Sequence, residues 1–550
     1  MPSTPTTKSQ VQAYRFVLRR MQSALVRKDA VMLHDPMRTH SRATIVGVCL
    51  AALGLLGFLI WGILQPKPKV PTEDGIVIGK PSGQVYVLMN QPKKRLIPVF
   101  NLASARLLLH AQSQGDEDKQ VAGAGGPGTG GTTEVAAPTI VDDNELRDQI
   151  PRTRKVGIVD GPELLPSKDQ RIESLWTVCD EYVLNENVPD EAADNEVETS
   201  VVAGVRDRGD ELSRDASLLV KSPDDEVYLV YRTPSTANAP NDSTVRAKVD
   251  LEQPEIKEAL DLDENDARVI TTGLLNAIPE KEELTAPDIN GIGDQPAGRA
   301  PDGLDVGSVF SVQRTGQPEE FYVVLRNGVQ QIKKTTGDLI RFKDDITGGQ
   351  VERLSPEDVT GSDRVRSRKD DPSFIDDSTF PEQQTEVLRP DTNPVVCLGW
   401  QTTDGGKAER TSVHVGQQVP GIPIEGDEPT WIDISTPGSS NLRIDHFYMP
   451  PGRGAVVRQA TSEADFASGS ITLVSDRGVK YGVPDQATAD ALGLDNPLPA
   501  PDAILRLLPD GSSLDWRDVE QSYDRVPIEG GEYPSKSPDE DGGSGQSGGG

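Results

Sequence analysis

The sequence predicts a single N-terminal transmembrane helix followed by a large extracytoplasmic domain of α+β to mostly-β class, with a central β core and four small strand-hairpin-helix repeats. Three observations predict it. Ala43–Leu64 runs 22 residues without a charge, enough at helical rise to cross a hydrocarbon core. Charge is segregated about that stretch: residues 1–42 carry Lys8, Arg15, Arg19, Arg20, Arg27, Lys28, Arg38 and Arg42 against Asp29 and Asp35, whereas the whole chain stands at −31. Short β-type runs separated by turn residues and closed by a helical segment then recur along the remaining 486 residues.

The first segment, 1–42, reads as a cytoplasmic basic helix. Ser9 with Gln12 offers a capping box, and Val11, Tyr14, Leu18, Met21 and Leu25 follow at spacings of three and four, an amphipathic seam. Arg15 and Arg19 share another face one turn apart, beside Arg20. The basic residues suit anionic headgroups and the seam suits a partner's helix, and the sequence leaves both open. Pro36 should break the helix before the membrane.

Residues 43–64 form the span. Gly47, Gly54, Gly57 and Gly62 are tolerated in lipid, Trp61 sits where an interfacial anchor belongs, and Arg42 bounds the run on one side. The basic flank places the N-terminus in the cytoplasm, and Gln-Pro-Lys-Pro-Lys after Leu64 reads as the flank of an uncleaved signal anchor in a cell (inner) membrane. Subtracting the +6 of residues 1–42 from −31 leaves −37 for the outer region. That balance argues against nucleic acid or anionic lipid as its ligand. With 43 Pro and 52 Gly, the outer region is loop-rich.

Beyond the span, 65–112 holds a linker and the first repeat: Ile76–Ile78, Val85–Met89, Arg95–Val99 and the helical Leu102–Leu109. Residues 113–138, with Gly123–Gly131, form a flexible insertion. The β core begins with 139–215, which carries Trp176 and Cys179 on a strand-like run and an acidic loop over Asp190–Asp215. The second repeat occupies 216–300 and the third 301–350, where Asn327-Gly328 is a strong hairpin signal. The β core resumes over 351–465, which contains an acidic loop from Glu357 to Glu386 and then Cys397 and Trp400. The fourth repeat is 466–525, with a helix at Ala487–Leu492, and 526–550 is a disordered tail.

Cys49 lies in the span, so Cys179 and Cys397 are the two outer cysteines. In an oxidising compartment they should pair, closing a loop worth roughly 5 kcal/mol in the chain-entropy picture. Two separate buried thiols are the alternative. Pairing would bring 139–215 and 351–465 into one β core.

The run Gln12-Ala-Tyr-Arg-Phe-Val-Leu-Arg-Arg20, with Ala24–Asp29, Met32–Arg38 and Ser41-Arg42 before one membrane helix, resembles EccB, a membrane component of actinobacterial type VII (ESX) secretion systems. The likeness continues through Trp176–Asp180, Tyr322–Gln330, Pro394–Trp400, Pro450–Arg458 and Ile504–Gly511. It implies a cytoplasmic helix, one span, and four repeats about a disulfide-linked β core, the repeats resembling small phage-type modules, with cell-wall glycan as a ligand to test. It also implies a protein-export complex with an EccC-type motor, EccD, EccE, the mycosin protease, membrane lipid and other copies of the chain. The glycine-rich insertion and acidic loops depart from the family pattern.

The resemblance also brings an ATPase description, which the residues do not support. Gly75-Ile-Val-Ile-Gly79-Lys80-Pro81 is one residue short of a phosphate loop and has proline in place of the magnesium-binding hydroxyl. Gly545-Gln-Ser-Gly-Gly549 matches a nucleophile elbow by letters alone. Asp261–Asp266 starts like a calcium loop but lacks its glycine at Asp266 and its glutamate at Thr272. His34, His40, His110, His414 and His446 lack zinc spacing. No catalytic residue, cofactor or metal is expected. Two functional classes remain: a structural subunit of a secretion machine, or a membrane-anchored envelope hydrolase or wall-binding protein.

Overall fold

A computed structural model describes residues 7–28, 36–64, 70–91, 93–121, 137–147, 154–183, 196–234, 242–344, 351–426, 428–435, 442 and 444–519. The tail 526–550, the nucleophile-elbow letters, His34 and most of the glycine-rich insertion lie outside these residues. The chain divides into two compact units, Met1–Lys69 and Val70–Gly550.

In the first unit, helix α1 (Lys8–Arg27) is capped by Thr7, not Ser9. The Thr7 hydroxyl accepts from the Gln10 N–H at 3.4 Å and the Gln10 side chain accepts from the Thr7 N–H at 2.9 Å. The box therefore sits two residues earlier than the sequence spacing suggested, because Ser9 and Gln12 already lie inside the helix. Helix α2 (Pro36–Leu64) begins at Pro36. Proline there starts a helix, at a position whose N–H has no intrahelical partner in any case. Within α2, Arg42–Gly62 is long and apolar enough to cross a membrane, and none of it is buried against protein.

The second unit opens with the meander β1 (Gly75–Lys80), β2 (Val85–Met89) and β3 (Arg95–Pro98), followed by α3 (Leu102–Val121) and β4 (Thr139–Asp142), which pairs parallel to β1. Helix α3 thus runs past residue 112, into the segment expected to be an insertion. After α4 (Asp143–Arg147) come β5 (Leu175–Val183), β6 (Glu196–Ala203) and β7 (Asp210–Glu211). A second meander follows, β8 (Ala216–Lys221), β9 (Val227–Thr233) and β10 (Ser243–Lys248), with α5 (Pro254–Leu260), β11 (Arg268–Val269), α6 (Thr272–Ala277) and β12 (Glu280–Lys281). The third comprises β13 (Val309–Gln313), β14 (Glu319–Leu325), β15 (Gly328–Ile332), α7 (Lys334–Asp344) and β16 (Glu352–Leu354). Its turn is Arg326-Asn327, with Gly328 already paired to Leu325. Gly328 has φ +148°, and a Cβ there would strike the Asp363 carbonyl.

Helix α8 (Pro356–Gly361) and β17 (Glu386–Val387) lead to β18 (Val395–Thr403) and β19 (Ala408–Gly416). A small hairpin, β20 (Ile424–Glu425) and β21 (Glu428–Pro429), precedes β22 (Ile432–Asp433) and β23 (His446–Tyr448). The last sheet has β24 (Gly454–Ala460), β25 (Ile471–Ser475), β26 (Lys480–Val483), α9 (Gln486–Leu492), β27 (Leu498–Pro501) and then α10 (Asp502–Leu505).

Four sheets share one strand plan: an antiparallel meander, a helix, and a fourth strand returning parallel to the first. The unit is therefore longer than a strand-hairpin-helix. In the last sheet it starts at Gly454, ahead of residue 466, and in the third it includes β13, which carried no strand reading. The returning strands β11 and β16 have two and three residues, too few for an alternation to register.

The central sheet has seven strands in the order β22-β23-β6-β5-β18-β19-β7. Strand β6 overturns the expected loop at Asp190–Asp215. Its Glu196 and Glu198 hid a strand whose Val201, Val202 and Ala203 are buried. The acidic stretch after Glu357 also packs, through buried Val359, Val365, Ile375 and Phe380. The first and last sheets share one apolar core, in which Val87, Ile97, Leu107 and Leu108 meet Leu473, Val483, Leu492 and Leu514. Leu339 of α7 joins Ile256, Ala259 and Leu260 of α5 in another. The helices therefore pair first with last and second with third.

Candidate functional site: an unpartnered helix face and a stapled central sheet

On α1 the seam residues Val11, Tyr14, Leu18, Met21 and Leu25 are all exposed, from 39% at Val11 to 79% at Leu25. Arg15, Arg19 and Arg20 are exposed as well, and the helix contains no acidic residue. Apolar seams of this kind ordinarily bury against something. Nothing among the described residues covers this one.

In the second unit Cys179 and Cys397 are joined. They face each other across β5 and β18, which pair in antiparallel register from Leu175–Gln401 to Glu181–Val395. Both cysteines are buried, beside Val202, Val395 and Tyr448. Adjacent Asp180 was not singled out from sequence. Its carboxylate accepts from the Thr271 N–H at 2.7 Å, the Thr271 hydroxyl at 2.8 Å and the Thr199 hydroxyl at 2.9 Å. Thr271 is the N-cap of α6, so one carboxylate ties β5, β6 and α6 together. Burial pushes the Asp180 carboxyl up to about 6 despite those donors. Only its place in the motif Trp176–Asp180 could have drawn attention to it.

The sequence decoys resolve into structure. Gly75–Lys80 is β1, paired on both sides, and beyond its end the Asp143 carboxylate accepts from the Ser82 N–H (3.0 Å) and hydroxyl (2.8 Å). A carboxylate stands where a phosphate would need donors. Asp261 terminates α5 in the left-handed conformation, Asp263 caps the next turn, and Asp266 pairs with Arg389 at 2.7 Å. The His414 Nε2 lies 2.9 Å from the Ser412 hydroxyl and its Nδ1 lies 3.1 Å from the Gly209 carbonyl. Ser412 is 1% exposed, so this pair is closed to a substrate. Burial also pushes the His414 pKa down. His446 lies between Asp433 Oδ1 (2.9 Å) and Glu198 Oε2 (3.2 Å) and stacks on Trp431, fastening β22 over β23 to β6. His110 is buried edge-on to Trp516.

Comparison with known proteins bears on the whole chain. A sequence model of the family described as "Type VII secretion system ESX-1, transport TM domain B" matches residues 3–528. The chain is 28% identical over 532 residues to a Mycolicibacterium smegmatis protein named "ESX-3 secretion system ATPase EccB3", covering 94% of this chain and 91% of that one. It is 27% identical over 531 residues to "ESX-1 secretion system ATPase EccB1" of Mycobacterium tuberculosis, covering 95% and 96%. Among solved structures, it is similar to the EccB3 dimer from the ESX-3 core complex, with TM-score 0.63 and 26% identity over 81% of this chain and 100% of that one. A chain of the intact ESX-5 inner membrane complex has the same fold, with TM-score 0.63 at 22% identity over 98% and 99%.

Proposed function

The chain belongs to the EccB family of type VII secretion transport components, and on that premise we propose that it is a structural subunit of an inner-membrane protein-export complex. Its role is to join a cytoplasmic docking helix, one membrane span and a multi-sheet extracytoplasmic body in a single covalent chain. The observation that carries this reading is the exposed seam of α1 on a chain whose family match spans helix, span and body alike. The excess of basic over acidic residues before Arg42 supports a cytoplasmic N-terminus. In this reading Val11, Tyr14, Leu18, Met21 and Leu25 dock on another subunit, with Arg15, Arg19 and Arg20 meeting its acidic groups or lipid phosphates. The relatives named for the ESX-3 and ESX-5 complexes support neighbours of the same kind here, further copies of the chain included.

The relatives' names carry the word ATPase. In this chain the nearest phosphate-loop letters form β1, with the Asp143 carboxylate beyond them, and no nucleotide role is assigned. Mild-detergent extraction tests the proposal. The native chain should run in a very large complex, and reversing charge at Arg15, Arg19 and Arg20 should release it while the second unit keeps its disulfide and fold. A complex of normal size in that variant counts against the docking role.

A further inference from the structure

The outer charge is not uniform. Between residues 67 and 95 there are six basic side chains against two acidic ones. Taking that +4 and the +6 of residues 1–42 from −31 leaves −41 for residues 96–550. This basic stretch lies next to the membrane span in sequence, and the sheet register shows where Lys93, Lys94 and Arg95 lie, with Lys80 at the opposite end of β1. Gly75 at the start of β1 pairs with Leu88 near the end of β2, and Met89 pairs with Arg95 at the start of β3. The chain therefore enters the first sheet at the same end where Lys93, Lys94 and Arg95 lie. Asn90 confirms the proximity: its side-chain amide donates to the Thr72 carbonyl at 3.0 Å and its N–H to Asp74 at 2.8 Å. Lys93 and Lys94 are exposed and have no carboxylate partner among the described residues, while Arg95 is half-buried against Met89. Of the two acidic groups at this end, Asp74 is engaged by Asn90 and Glu73 stays exposed.

Leu64 and Thr72 are eight residues apart in the chain, a tether of at most about 30 Å when fully extended. A tether of that length holds the lysines at high effective concentration near the bilayer, where weak attraction is enough. We propose that the Lys93-Lys94-Arg95 end of the first sheet docks on anionic phospholipid headgroups of the outer leaflet face, setting how the body stands on the membrane. The net negative charge of residues 96–550 opposes lipid contact in general, and the short tether favours this end over the exposed Arg364, Arg366, Arg368 and Lys369, which lie among Asp363, Asp370 and Asp371. The proposal rests on the reading that Arg42–Gly62 spans a bilayer.

The test uses the full chain in nanodiscs, with Cys49→Ala and a fluorophore at Gln91→Cys, quenched by lipids bearing a headgroup nitroxide. In discs with about one-third phosphatidylglycerol the probe should be strongly quenched. It should be weakly quenched in phosphatidylcholine alone, and at about 1 M salt, where screening is within about 3 Å. Lys93→Glu with Lys94→Glu should lower the docked-to-free ratio at least about 25-fold, at about fivefold per basic residue lost, with the added negative charges acting in the same direction. Equal quenching in both lipids, indifference to salt or to the double reversal, or shielding only when other subunits are added would overturn the proposal, the last in favour of a protein partner. A chain that fails to co-elute with discs overturns the spanning reading and this inference with it. A chain that inserts but is not quenched overturns this inference alone.

Discussion

Asp180 shows how one side chain can set a pH dependence. Its carboxyl is raised to about 6 by burial, above the usual value near 3.9 in an unfolded chain. The folded state therefore holds this proton more tightly. The resulting stabilisation is complete below about pH 4 and is lost as pH rises through 6, a change of about 3 kcal/mol. Asp180→Asn removes that term. Relative to the native chain, the variant should gain about 2 kcal/mol between pH 4.5 and 7, read from urea denaturation at the two pH values. A constant difference between the two chains would mean that Asp180 does not titrate in this window. The opposite sign holds for Asp495, kept below the usual carboxylate range first by its hydrogen bond to Lys168; its contribution is lost only in stronger acid.

At the scale of elements, two junctions stand out. The disulfide closes a separation of 218 residues across two strands that are already hydrogen-bonded. Replacing Cys179 and Cys397 together by Ala should cost roughly 2–5 kcal/mol, seen as a lower melting temperature, and a reductant should shift the native chain in the same direction. The other junction is the end of α9. Arg106 of α3 donates to the Leu492 carbonyl, and Arg171 donates to the Gly493 carbonyl at 2.6 Å and to Asp495 at 3.1 Å. Two cations thus meet the negative end of a helix dipole while binding carbonyls that lack helical partners. Arg106→Met should destabilise the second unit by about 1–3 kcal/mol, with the earliest gain in hydrogen exchange in α3.

At the scale of the molecule, the first sheet depends on the last. Leu107 and Leu108 share their core with Leu473, Leu492 and Leu514, residues more than 350 positions away. Deleting 454–519 should leave that face bare, and limited proteolysis should then cut between residues 75 and 121, which resist in the intact chain. Resistance unchanged by the deletion would show that the first sheet stands alone. Such closure gives the body one continuous frame.

The sequence by itself determined the span, the charge asymmetry and the basic amphipathic helix, because each is a local pattern of polarity that any fold must respect. It also determined strands such as β2, β9, β18 and β25 and the residues of the staple, since Val- and Ile-rich runs and an isolated pair of cysteines beyond the span need no tertiary context; β6, β19 and β24, though long, carried no such reading. Tertiary structure alone decided the rest. Returning strands β11 and β16 are too short to carry a period, β6 opens on glutamates, and the donors to buried Asp180, Thr199 and Thr271, come from other elements. The pairing of first sheet with last was decided there too, because apolar faces specify that they must be covered and not by which neighbour.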